Sequence, residues 1–506
     1  MFKTVLAFLP MLSLLFCILI LKLEIRRSAA LALLIAISIG ATSYNMGLMG
    51  LGIALGKGMV LSLYVLLIIW SAVFFYHIVD EVRGVEVISQ NISLLIGDKF
   101  TQFLFLSWIF SCFLQAVAGF GVPGMIIAPI LIGLGFSPLL SISAVLIGHS
   151  WGICFASMGS PFYILMLITG VSGGSLIHWM AVFAIILIFL SGLAVSYMYG
   201  GIPYIGRGLY YTIPGTIFMG LVIFLLIRLD LIAIIGLLTS VAGIVFILAL
   251  YRFKDKATWP KKLYKNKVSL GEAVFPYIVI IFLSLLFQII PLEQLTIAFN
   301  FPKYITASGR IIQEEVNYGA INLLNHPTTI ILSSAIIGIY LYSRKGVWDR
   351  KQLKIVVVKT VDKCLVTSLG LTFLMAMSLI MVDSGMMDVL ASNIAKLTVD
   401  KYPIIAPFIG IIGGFITGSN SNANVIFGNF QESIAYALGV NGAVMCAIQS
   451  IGAAIGGSIG PTQILLGASS SGLIGREESI YKKTIPFIFL SGLILGLTNY
   501  FILINI

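Results

Sequence analysis

The residues best able to do chemistry crowd into one short run, GSNSNANVIFGN, at positions 418–429. Ser419, Asn420, Ser421, Asn422 and Asn424 lie there between long apolar stretches. Polar groups in apolar surroundings cost free energy unless they find partners. Serine hydroxyls, asparagine amides and freed backbone N–H groups can hydrogen-bond an anion, and a helix start adds partial positive charge. Asparagine and backbone carbonyls can equally ligate a cation. Taken singly, each residue also fits a blander role, joining one helix to the next. A second run, AGFGVPG, carries Gly119, Gly121, Pro123 and Gly124. Two later breaks, GSP at 159–161 and GP at 460–461, place Ser160 and Gln463 beside turns. The expected substrate-binding set is Gly119, Gly121, Ser160, Ser419, Asn420, Ser421, Asn422, Asn424 and Gln463.

Proton chemistry needs ionisable groups, and inside membrane spans these are expensive and functional by default. His149, in IGHSWG, has an ordinary pKa of about 6.5 that suits proton exchange. Asp383 ends the apolar run LMAMSLIMVDSG. Each also has a structural reading, a helix-bridging histidine and a helix-end carboxylate. Glu432 reads as a solvated charge, and Lys57 as a loop or snorkelling charge. The five cysteines sit singly in apolar runs and read as small buried hydrophobes. The four histidines form no ligand pattern, so no metal and no cofactor is expected.

These residues must be positioned by membrane helices. Of 506 residues, 59% are hydrophobic and only 10% charged, against about a quarter charged in soluble domains. Apolar runs of roughly 20 residues, the length of a membrane span, recur along the whole chain. The first, VLAFLPMLSLLFCILILKL, reads as a span and not as a cleaved leader. The net charge of +11 would point to nucleic acid in a soluble protein. Here the cations collect in KLEIRR, RFKDKATWPKKLYKNK and RKGVWDRKQLKIVVVK, which marks those loops as cytoplasmic. Counting outward from them gives an all-α polytopic protein of the plasma membrane, with about 12 spans and both termini outside.

Two stretches stay outside that count, 101–136 and 403–437. Each is long enough to enter the membrane, turn at a polar or glycine-rich tip and leave on the side it entered. Each is followed by an interrupted helix, near 139–166 and 441–466. The count has the two hairpins entering from opposite faces, as an inverted repeat would. Such broken elements meet near the bilayer midplane and form a site between them. Irregular backbone survives there only where protein or a water-filled cavity covers it. The expected organisation is scaffold spans over 1–100, a first repeat over 101–251, a basic cytoplasmic loop at 252–270, further scaffold over 271–363, and a second repeat over 364–506.

At these stretches the sequence resembles the L-lactate permease family. The matching pieces are AVAGFGVPG, GLGFSPL, TGSNSNANVIFGNFQ and PTQILLGASSSGLIGREES, and the pattern between them agrees as well. The resemblance implies an ion-transporter fold that carries small hydroxy-monocarboxylates such as lactate or glycolate by proton symport. It also exposes departures. Gln115 and Asn420 stand where the family usually has glutamate and aspartate, and His149 where it usually has asparagine. An amide can hydrogen-bond but cannot carry a proton, so if those acids couple protons in relatives this chain couples differently or not at all; the positions that bear on coupling are Gln115, His149 and Asp383.

The expected function is a secondary transporter of a small organic anion, working by alternating access. Sodium coupling or uniport is the alternative that Gln115 and Asn420 motivate. A channel would call for filter elements or charged rings. An intramembrane enzyme would call for paired carboxylates or a nucleophile with its base. No G-x-x-x-x-G-K-[ST] run supports ATP hydrolysis. The expected partners are a carboxylate substrate, a coupling ion and the bilayer, with a homo-oligomer compatible and no nucleic acid.

Overall fold

A computed structural model describes residues 2–119, 121–255, 264–289, 295–307 and 309–505. Eleven helices among the described residues are long and apolar enough to cross a membrane. In lipid a helix satisfies every backbone polar group internally, so uniformly apolar runs have little alternative. The fold is that of an all-α polytopic membrane protein. The first apolar run, read as a span, forms the helix Phe2–Leu19, and a later apolar helix covers Pro327–Arg344. Neither is among the eleven, whereas Lys99–Val117, assigned from sequence to a hairpin arm, is.

The scaffold centres on two long antiparallel helices, Leu48–Glu81 and Arg350–Ser384, with Ile25–Thr42 beside them. Gly58 allows their close approach, since a Cβ there would stand 2.6 Å from the Ala376 Cα. The seam is then pinned along its length by side chains. Trp70 Nε1 donates to Ser368 Oγ at 2.9 Å, His77 Nδ1 meets Thr360 Oγ1 at 3.0 Å, and Lys359 pairs with Glu81 at 2.8 Å. Asp349 and Gln352 close a reciprocal cap at the start of the second helix, which satisfies donors its first turn leaves free.

Within the region expected as further scaffold, 271–363, small antiparallel pairings stand between the helices. Thr296–Phe301 pairs with Glu315–Asn322, and Tyr304–Ile305 with Ile311–Ile312. This ribbon brings Glu315 to Lys57, 2.7 Å away, and Asp383 lies 3.5 Å from the same ammonium. Tyr304 donates to Asp383 at 3.1 Å. Lys57 is therefore a buried, doubly paired cation and not the loop charge its local sequence suggested. Its partners lie far along the chain, Glu315 being 258 residues away.

Two other units share one element order. The first runs from Lys99 through Ala118, turns near Gly119–Gly121, and returns as Val122–Gly133. Pro138–Gly148, a 3-10 stretch at Ser150–Phe155 and Ala156–Thr169 follow. The second runs Tyr402–Thr417, turns at Gly418, and returns as Asn420–Leu438. Gly442–Ser458 and Pro461–Ser470 follow. In both units glycines let the interrupted helix lie against the first hairpin arm. A Cβ on Gly148 would meet the Ser107 carbonyl, and one on Gly456 the Ile411 carbonyl. All five cysteines are free and buried, as their apolar settings predict.

Candidate functional site

The two hairpin tips and the two helix breaks converge. Gly119 has φ +59° and ψ −155°, a region essentially restricted to glycine. A Cβ on it would stand 2.7 Å from Ser157 Oγ, in the break of its own unit. A Cβ on Gly121 would stand 2.5 Å from Gln463 Oε1, in the break of the other unit. The second tip repeats this double contact. Gly460, in its own break, lies against Gly418, where an added Cβ would come within 2.7 Å of the Cα. Asn420 Nδ2 reaches the Ile153 carbonyl of the other unit at 3.4 Å.

Between them lies a narrow cavity of about 70 Å³, lined by residues of both units and of the scaffold. A buried water needs roughly 10–15 Å³ on this measure, so the space suits a molecule of a few heavy atoms. The wall includes Gln115, Gly119, Ser160, Ser419, Asn420, Ser421, Asn422 and Gln463. Of the expected binding residues, Gly121 and Asn424 stand behind the wall. Asn424 Nδ2 donates to the Pro161 carbonyl at 3.2 Å and to Ser450 Oγ at 3.0 Å, which makes it a tie between the units. Of the coupling candidates, only Gln115 lines the cavity. His149 is fully buried, with Nδ1 2.6 Å from the Val145 carbonyl. Asp383 sits in the Lys57 cluster, 12 residues beyond Leu371, which lines the cavity from the same helix.

Among the described residues, the cavity wall holds no lysine, arginine, aspartate or glutamate. Its electrostatics come from dipoles. The helices Asn420–Leu438, Pro461–Ser470 and Val122–Gly133 all start beside it, and each start carries roughly half a positive charge. Ser419 caps the first of them, accepting from the Asn422 backbone N–H at 3.3 Å. Asn420 is held at both ends of its amide, because Ser450 Oγ also donates to its Oδ1 at 3.3 Å. A carboxylate there would set an acceptor against the Ile153 carbonyl, so the amide suits this neighbourhood. Gln115 Oε1 is buried and has no hydrogen-bond partner among the described residues.

Sequence reading missed Ser157, Ile153 and Thr367, which all contribute to the wall. Ser157 and Met158 have φ of +46° and +55°, followed by Gly159 at +77°. Consecutive left-handed residues are rare outside glycine and cost about 1–3 kcal/mol each. The GSP run marked the place but gave no sign that the strain falls on Ser157 and Met158. Thr367 lies on a scaffold helix, where nothing local distinguishes it from other small polar residues.

The sequence profile of the L-lactate permease family matches residues 3–505. The chain is 24% identical to a glycolate permease of Escherichia coli (strain K12), over 97% of this chain and 94% of that protein. It is 27% identical to an L-lactate permease of Streptococcus iniae, over 87% and 92% of the two chains. An L-lactate permease of Bacillus subtilis (strain 168) is 25% identical over 83% and 81%.

Proposed function

The chain belongs to the L-lactate permease family, and from that premise we propose that it is a secondary transporter of L-lactate, glycolate and similar small hydroxy-monocarboxylates, coupled to protons and working by alternating access. The observation that carries this reading is the small, charge-free cavity beside three helix starts. Backbone N–H groups at the starts of Asn420–Leu438 and Pro461–Ser470, with Ser421 and Asn422, take the carboxylate. The unpartnered Gln115 Oε1 accepts the α-hydroxyl proton. Alternating access moves the two hairpin units against the scaffold helices Leu48–Glu81 and Arg350–Ser384, which supply Ile69, Thr367 and Leu371 to one side of the cavity.

With no ionisable side chain among the described residues of the wall, the proton travels on the substrate. The helix starts hold the carboxylate while the cavity is open; once it closes, burial disfavours the charged form, so anion and proton cross together as the neutral acid. This makes transport electroneutral. The same amides favour one second reading, sodium coupling, because Gln115 Oε1, the Asn422 amide and nearby backbone carbonyls are all oxygen ligands.

Counterflow and uptake of L-lactate in proteoliposomes separate these readings. The proton reading expects accumulation driven by an inward proton gradient and unaffected by membrane potential. Uptake that follows sodium and ignores the proton gradient overturns it. No uptake of L-lactate or glycolate under any gradient overturns the substrate class.

A further inference from the structure

A second, larger cavity of about 740 Å³ lies next to the first. The two share walls. On the scaffold helix Leu48–Glu81, Ile69 faces the inner cavity and Tyr64 the larger one. On the helix Ala156–Thr169, Ser160 and Pro161 face the inner cavity, while Phe162 and Tyr163 face the larger one. The left-handed segment is part of the partition: Ser157 lines the inner space, and a Cβ on Gly159 would touch the Ile232 carbonyl, on the floor of the outer one. Tyr64 and Tyr163 lie side by side at this partition, both on the side of the larger cavity, with ring centroids 6.0 Å apart. His326 braces Tyr64 edge-on at 4.5 Å.

The larger cavity opens on the outer side. The helix Ile235–Asp255 begins beside it and runs to Arg252, and Pro327–Arg344 begins at it and ends in Arg344 and Lys345. Helix ends rich in cations face the cytoplasm. Along the scaffold helix Leu48–Glu81 the way to the other side is longer. A third space at the cytoplasmic end is lined by Asp80, Arg83, Ile126 and Lys359. Asp80 lies about 16 Å of helical rise from Ile69, whereas Tyr64 lies only about 7 Å from it. Along this helix the inner cavity thus lies nearer the outer space than the cytoplasmic one.

We propose that Tyr64 and Tyr163 are the outer gate, one ring on the scaffold and one on the transport unit, and that the large cavity is the vestibule from which a small carboxylate enters. The proposal rests on the reading of the inner cavity as the substrate site. When the rings part, the inner cavity opens to the outside; when they close, a layer one residue thick excludes water.

The test is labelling of a cysteine placed in the inner cavity, Ala156→Cys, by a membrane-impermeant methanethiosulfonate added outside to right-side-out vesicles. The native cysteines are all buried and leave little background. Labelling is expected at least tenfold faster with Tyr64→Ala or Tyr163→Ala added, and unchanged with Tyr163→Phe, which keeps the ring. Ser160→Cys serves as reporter if the first variant fails to reach the membrane. Equal rates in all backgrounds overturn the gate, as does acceleration only from the cytoplasmic face. Labelling does not require transport, so gate-dependent rates with no L-lactate uptake would overturn the substrate reading and leave the gate standing.

Discussion

The two hairpin tips divide one task unequally. The second presents side chains: Ser419, Asn420, Ser421 and Asn422 all reach the cavity wall. The first presents backbone alone at Gly119, in a conformation no other residue adopts cheaply, and its polar group, Gln115, stands one turn back. The breaks differ in the same sense. Gly460 and Pro461 interrupt the second helix with an extended residue at φ −56°. The first break holds three left-handed residues in a row. One half supplies donors on relaxed backbone, and the other stores strain around a bare tip. In a carrier, the strained half is the better candidate for the part whose shape changes, because strain narrows the gap between alternative conformations.

This contrast makes side-chain loss costly at the second tip. Asn422→Leu is expected to lower L-lactate uptake by about 10- to 100-fold, since hydrogen bonds to a charged group contribute about 1.5–3 kcal/mol. The amount of protein in the membrane should stay normal. Uptake rates normalised to membrane content test this, and an unchanged rate removes the second tip from the site. At the first tip the cost should fall on the fold. Gly119→Ala forces a glycine-only conformation and a Cβ 2.7 Å from Ser157 Oγ, so a loss of about 1–3 kcal/mol should appear as a lower melting temperature in detergent. Stability left intact would break the distinction between the two halves.

A smaller effect tests whether tip and break are coupled. Ser157→Gly removes both the Oγ under Gly119 and a side chain held at φ +46°. Alone it should change stability by no more than about 1 kcal/mol, because relief of the left-handed conformation is offset by glycine's extra unfolded-state freedom. Combined with Gly119→Ala it should recover part of the loss, a non-additivity of at least ~0.5 kcal/mol. Additive losses would mean that the two positions act separately.

What could be read from sequence follows the same division. The second tip was legible because five small polar residues in an apolar chain need partners, and most of them do line the cavity. The first tip was legible as glycine. What escaped was non-local or conformational. Lys57 looked exposed because Glu315 and Asp383 lie far along the chain. The left-handed segment fell on Ser157 and Met158, residue types that do not advertise it. The helices Gly84–Ser93 and Met386–Thr398 were not foreseen, since short amphipathic segments carry little signal beside longer apolar runs. In spans apolar on every side, periodicity does not reveal which face is buried, so Tyr64, Ile69 and Thr367 could not be assigned to a wall.

Another small effect is expected at the hairpin bases. Asp98 caps the first arm, accepting from the Thr101 backbone N–H at 2.8 Å, and pairs with Arg207 at 2.7 Å. Lys401, at the start of the second arm, makes no side-chain cap. The strained tip thus stands on the better-anchored base. Partial burial pushes the Asp98 carboxyl upward, but the Thr101 hydroxyl and N–H and the Arg207 guanidinium outweigh it and hold it below its ordinary range. A carboxyl lowered in the folded state stabilises fully above its unfolded value, about 3.9, and loses that contribution as pH falls through the folded value. Asp98→Ala should therefore cost ~1 kcal/mol at neutral pH. The gap in melting temperature between it and the native chain should stay level down to about pH 4.5 and narrow only below. A gap that closes between pH 7 and about 5 would mean that Asp98 is not held ionised by these partners, and the two bases would then no longer differ in the way their tips require.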